Sequence, residues 1–114
     1  MIHEMKLQQI YFDKIKNGEK IYEIRLNDEK RQLIKIQDKI LFKKEPLLQD
    51  SIIAHVKDLI HFSSFEQMIN TLEPSKVGFE NQSISEIIDI YHEFYSIENE
   101  LNYGVLAIKI QVEN

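Results

Sequence analysis

Four residues have the types and spacing to act together on a ligand: Lys20, Glu23, Arg25 and Glu80. Glu23 and Arg25 sit two apart in the alternating run Ile21-Tyr22-Glu23-Ile24-Arg25-Leu26. Successive side chains of a strand point to opposite faces, so these two share one face. Lys20 precedes the run, after a turn at Asn17-Gly18 that can swing it to the same side. A lysine, a carboxylate and a guanidinium then converge at one strand end. The cations suit a phosphate or a polarised carbonyl, and the carboxylate suits the edge of a base. Without a partner, the same three make an ion-pair ladder along a surface strand, worth little. Glu80 lies in a loop just ahead of a capped helix, where the helix end favours negative charge. The spacing predicts one cleft shared by all four.

The elements that must position these residues are legible as alternation and as helical periodicity. His3–Leu7 suits a first strand with Met5 and Leu7 inward, and Ile10–Asn17 a short helix that stops at Gly18. In the Ile21–Leu26 strand, Tyr22, Ile24 and Leu26 form the core face. Asn27 or Asp28 starts a charged helical turn, and Lys39–Phe42 is a further strand. A loop broken by Pro46 leads to Ser51–Ile60, where Ile52, Ala54 and Val56 alternate with His55 and Lys57. Ser63 and Glu66 have capping-box spacing, and Phe65, Met68, Ile69 and Leu72 follow at helical intervals. Glu73–Gln82 is a loop in which Gly78 supplies a flexible point. Ser83 and Glu86 make a second box, ahead of a stripe of Ile84, Ile87, Ile88, Tyr91 and Tyr95. Ser96–Asn102 is a polar connection, and Val105–Val112 closes the chain as a strand. Separated strands with short helices give an α+β domain.

A second group suits nucleic acid. Lys30-Arg31, with Lys35, Lys39, Lys43 and Lys44, can follow a phosphate backbone. Tyr11, Tyr22, Phe79 and Tyr103 offer stacking faces. Tyr22 fits the core better, and Phe79, in a polar loop beside Gly78, is the choice for an exposed stacking role. The four histidines, His3, His55, His61 and His92, show no metal-ligand spacing and are expected to be structural or surface residues.

The pattern Gly18, Lys20, Glu23, Arg25, Asp28, Lys30, Arg31, followed by Ile36, Lys39-Ile40 and Phe42, resembles the activating-signal-cointegrator homology (ASCH) domain family. His3–Leu7 and Tyr103–Ile108 look like the two ends of such a domain, so the resemblance spans nearly the whole chain. Gln37 stands where the family usually has glycine before the aspartate. The resemblance implies a small, mostly antiparallel PUA-like β-barrel with short helices packed around it. It also implies that Lys20, Glu23 and Arg25 line a cleft beside the barrel. RNA or a nucleotide-like ligand is then the expected partner, with Lys20, Glu23, Arg25, Lys30, Arg31, Phe79 and Tyr103 as contacts. Small bacterial ASCH proteins that hydrolyse 4-acetylcytidine use a lysine, a threonine and a glutamate. Carried over by motif, the lysine falls on Lys20, the glutamate on Glu80 and the threonine position on Glu23. A carboxylate cannot stand in for a hydroxyl nucleophile, although two carboxylates and a lysine can activate a water. Binding module and small amidohydrolase are thus both open, with Lys20, Glu23 and Glu80 as catalytic residues in the second case.

Composition narrows the classes. A chain of 114 residues, 43% hydrophobic and 29% charged, fits one globular domain over residues 1–114. With no cysteine, disulfides and thiolate metal sites are excluded. No metal, no cofactor and no membrane partner is expected, and the cytoplasm is the default location. A monomer or weak homodimer is the expected state. The net charge of −5 argues against a protein that coats nucleic acid generally. The segment Lys14–Lys44 nevertheless carries +5 and the rest of the chain after it −9. Such a segment suits a local anionic partner, or else its charges mix in space with the acidic half.

Overall fold

The computed structural model describes residues 1–113. Five strands carry the fold: β1 (Ile2–Leu7), β2 (Tyr22–Leu26), β3 (Lys39–Lys44), β4 (Ser51–Phe62) and β5 (Val105–Val112). They form one sheet in the order β1-β3-β4-β5-β2. Three neighbour pairs are antiparallel, and β1 runs parallel to β3. The sheet curls into a half-barrel of the PUA-like type, with four helices around it. Strand β4 joins the two halves of the sheet. Its first half pairs with β3 and its second with β5, and the register slips between Val56 and Asp58. Such a bulge bends the bulged strand and increases its twist. The ladder ends at β1 on one side and β2 on the other, so these two edges face each other across an open seam.

Core packing explains why β5 is apolar on both faces. Leu106, Ile108 and Ile110 fill the concave side with Met5, Leu7, Phe42 and Val56. Val105 and Ala107 face the other side, against Ile24, Leu26 and the helices. Those helices are α1 (Gln9–Lys16), α2 (Phe65–Thr71), α3 (Ile84–Phe94) and α4 (Ile97–Tyr103). Helix α3 starts with the expected box: Ser83 Oγ accepts from the Glu86 N–H, and the Glu86 carboxylate accepts from the Ser83 N–H. The stripe begins one turn later than expected. Ile84 overhangs the core and is exposed, whereas Ile87 is fully buried and Ile88 partly so. Ile87→Ala is therefore expected to cost about 2–5 kcal/mol in a urea denaturation measurement, with a smaller loss for Ile88→Ala.

Two expected elements differ. The cap of α2 is Ser64, which accepts from the Gln67 N–H, while Gln67 Oε1 accepts from the Ser63 N–H. The box has slipped by one residue, and Glu66 takes no part in it. The stretch expected to be a polar connection is instead α4, capped by Ser96. It folds because Glu100 turns inward. Its buried carboxylate accepts from the Phe65 N–H at 2.7 Å and meets His92 Nε2 at 2.8 Å, which ties three helices together.

Asp38 plays the same role at the start of the sheet. It accepts from the Lys35 N–H and meets His3 Nε2 at 2.8 Å, with the Met1 amine at 3.4 Å. The His3 bond, the Lys35 N–H and the amino terminus hold its carboxyl at about 2, against a usual 3.8. A depressed carboxyl contributes stability that is present above its unfolded value and lost as pH falls through the folded one. That contribution should fade between pH 3.8 and about 2. Asp38→Asn should flatten this part of the stability–pH curve; an unchanged acid limb would contradict the assignment.

Candidate functional site: an aromatic cleft at the barrel seam

Strand β2 places the polar cluster. Glu23 lies opposite Ile108 and Arg25 opposite Leu106, so both side chains point to the concave face. The expected alternation holds, with Ile24 and Leu26 on the helix side. The Glu23 face is not open to solvent, however, because the curled sheet encloses it. Glu23 and Lys20 are only 5% and 4% exposed.

These two residues and Arg25 form one buried ionic unit. Lys20 Nζ donates to the carbonyls of Tyr22 at 2.6 Å and Val77 at 3.0 Å, and stands 3.2 Å from Glu23 Oε1. All three ammonium protons thus have acceptors. Arg25 Nε donates to Glu23 Oε2 at 2.7 Å, and Arg25 Nη2 reaches across the seam to the Lys6 carbonyl at 3.0 Å. Burial pushes the Glu23 carboxyl up, but Lys20 and Arg25 outweigh it and leave it below the usual range. Burial pushes the Lys20 ammonium down, with Glu23 opposing. Arg25 loses by burial and gains more from Glu23. Lys20 is a strut, with no proton spare for a ligand. Glu23 keeps unused lone pairs, and Arg25 Nη1 keeps its donors.

Gly78 makes the strut fit. It follows a 3-10 turn over Pro74–Val77 and has φ +102°. A Cβ there would stand 2.9 Å from Lys20 Cδ and 3.2 Å from Tyr11 Cδ1. Only glycine tolerates both the backbone angle and the contact.

A cleft of about 430 Å³ opens over this unit. Its floor holds Lys20, Glu23 and Arg25; its walls include Tyr11, Phe79, Tyr91, Phe94 and Tyr95, with Lys6 and Glu45 at the rim. Phe79 packs edge-on to both Tyr11 and Tyr91. Burial, reinforced by the Glu23 charge, raises the pKa of Tyr11 and Tyr91; burial also raises that of Tyr95 against the opposing pull of Arg25. Their hydroxyls therefore stay protonated, and none is held by a hydrogen bond to another described residue. Aromatic faces, free hydroxyls, carboxylate lone pairs and guanidinium donors together suit a planar, polar-edged ligand.

Three of the four residues expected to share a cleft do so, and Glu80 does not. Phe79 is drawn into the core, so its successor points outward. The Glu80 carboxylate is 60% exposed and lies 3.7 Å from Lys14 Nζ. Phe79 itself is 4% exposed, which rules out the free stacking role expected of it; it backs the cleft wall instead. Tyr103 is on α4, and its hydroxyl donates to Glu29 at 3.2 Å, away from the cleft lining. Lys30 and Arg31 line a separate notch. Sequence reasoning missed Phe94 and took Tyr91 and Tyr95 for core alone. The signal was there: polar-tipped aromatics at i and i+4, with a phenylalanine between, end an otherwise isoleucine stripe. Much of the basic segment is neutralised in space, by Lys14–Glu80, Lys39–Glu113, Lys43–Glu4 and Lys44–Asp13 pairs.

The sequence profile of the ASCH domain matches residues 5–113. The chain belongs to the ASCH domain family. Among solved structures, this ASCH domain is 39% identical to the hypothetical protein PH0355, with a TM-score of 0.89 over 99% of this chain and 100% of that one. It is 36% identical to protein PF0455 from Pyrococcus furiosus, with a TM-score of 0.78 over 98% and 97%. An ASCH domain from Lactobacillus crispatus shares the fold at 13% identity, with a TM-score of 0.74 over 97% and 79%. No curated protein matches the chain. Among the described residues, no helix is long and apolar enough to cross a membrane, and no group of three or more His, Cys, Asp or Glu is placed to hold a metal.

Proposed function

We propose that this ASCH domain binds RNA by taking one base into the aromatic cleft. The observation that carries the reading is the combination of a partly buried Glu23–Arg25 pair with unused acceptors and donors at the foot of a cleft walled by tyrosines and Phe94. A base offers a flat face for the rings and an edge with donors beside acceptors for the pair. Membership of the family supports an RNA partner. The exposed position of Glu80 and the full engagement of Lys20 count against an amidohydrolase built on them. No release of acetate from 4-acetylcytidine is therefore expected.

The test is titration of single-stranded RNA oligomers and free nucleosides at low salt, followed by tyrosine fluorescence. Saturable binding of both is expected. Phe94 is 56% exposed, so Phe94→Ala should leave folding intact while weakening binding by about 1–3 kcal/mol, the worth of one stacked base. Absence of any RNA or nucleoside binding at low salt would sink the reading.

A further inference from the structure

Beside the cleft lies a second concavity of about 320 Å³, lined by Glu4, Met5, Lys6, Arg25, Lys30 and Arg31. Lys6 and Arg25 line both, so the two are neighbours across the seam between β1 and β2. Four of its six lining residues are cationic. The charge is only partly answered by the protein. Glu4 is paired with Lys43 at 2.7 Å, and Asp28 holds Arg31 Nη1 at 3.3 Å. Lys6 and Lys30 have no ion-pair partner among the described residues. Arg31 Nε is shielded from solvent and has no acceptor among the described residues. A buried charged donor without an acceptor is costly, so the protein leaves the Arg31 guanidinium incompletely satisfied beside the notch.

We infer that the notch is a phosphate subsite, and that the two concavities together hold one nucleotide, its base in the cleft and its phosphate against Lys30 and Arg31. This rests on the base-binding reading and extends it from a base to a nucleotide unit. Arg25 is the shared wall. Its Nε is committed to Glu23 and one Nη2 proton to the Lys6 carbonyl, and its remaining donors face a ligand that bridges the two concavities. Glu4, the one acid in the lining, is tied to Lys43.

The experiment compares four ligands on the intact protein at low salt: a nucleoside, its 5′-monophosphate, its 3′-monophosphate and a dinucleotide with an internal phosphodiester. At least one phosphorylated ligand should bind roughly tenfold or more tighter than the nucleoside, the worth of a charge-assisted hydrogen bond. That ratio should shrink with added salt. It should fall towards one in Lys30→Gln, whose side chain is exposed, and in Arg31→Lys, which keeps the charge near Asp28 but loses the fork. A gain confined to a monoester identifies a free nucleotide or an RNA end as the ligand; an equal gain for the dinucleotide identifies a phosphate within a strand. Nucleoside binding with no gain from any phosphate overturns the subsite and leaves the cleft reading standing. A gain that survives both substitutions also overturns it. Failure of the nucleoside and of all three phosphorylated ligands to bind removes both.

Discussion

Glu23→Ala should destabilise the fold by about 3–5 kcal/mol, because it leaves buried Lys20 and half-buried Arg25 without their anion. Lys20 is 4% exposed and keeps its two carbonyl acceptors, but the ammonium loses the charge that offsets its burial. Arg25 loses the acceptor for Nε. The cost should be largely recovered when the cations are removed as well. Glu23→Ala with Lys20→Met is expected to cost less than the sum of the two single changes, which is the sign of a coupled pair. Equilibrium urea unfolding of the four proteins of this cycle measures the coupling. Additive losses would mean that the ionic unit is not a unit. Acid should act in the same direction. The Glu23 carboxyl is depressed in the fold, so its contribution is present above the usual value of 4.5 and is lost as pH falls through the lower folded value.

Arg25→Ala should have the largest effect on binding. Truncating one partner of a buried charge pair costs about 2–5 kcal/mol, or roughly 30-fold to several thousandfold in affinity. Some of that loss would be structural, since Glu23 then has only Lys20 beside it. Arg25→Lys separates the two contributions. It keeps a cation near Glu23 but cannot hold Glu23, the Lys6 carbonyl and a ligand at once. Stability close to the parent with RNA affinity at least tenfold lower would assign the guanidinium fork to ligand recognition. An Arg25→Lys protein that binds RNA as well as the parent would confine Arg25 to a structural role.

The strands were legible as short apolar or alternating runs. The Tyr22–Leu26 run appears with the expected faces, since a one-residue slip would turn Ile24 and Leu26 away from the helices. The ASCH motif was legible in the same run, and with it the Lys20, Glu23 and Arg25 cluster. What alternation cannot show is enclosure. Glu23 and Arg25 were correctly assigned to the face opposite Ile24 and Leu26, but whether that face meets water depends on sheet curvature, to which the bulge in β4 contributes. Glu80 and Phe79 failed for a related reason. Adjacent residues in an irregular loop have no periodicity to say which points inward, and packing against Tyr11 and Tyr91 decided it for Phe79. Helix α4 was hidden because its sequence is polar; its inward anchor is the carboxylate of Glu100 rather than an apolar stripe.

The seam between β1 and β2 carries one further consequence. Backbone ladders join every other pair of neighbouring strands, but here the link is the Arg25 guanidinium on the Lys6 carbonyl. The barrel is therefore a cuff fastened by a side chain, and the clasp sits in the cleft. A ligand that draws the guanidinium away unfastens the cuff; one that binds its free donors tightens it. Occupancy of the cleft should therefore change how readily β1 and β2 part at the seam, and hydrogen exchange at the amides of Lys6 and Leu7, beside the clasp, is the measurement that would read it.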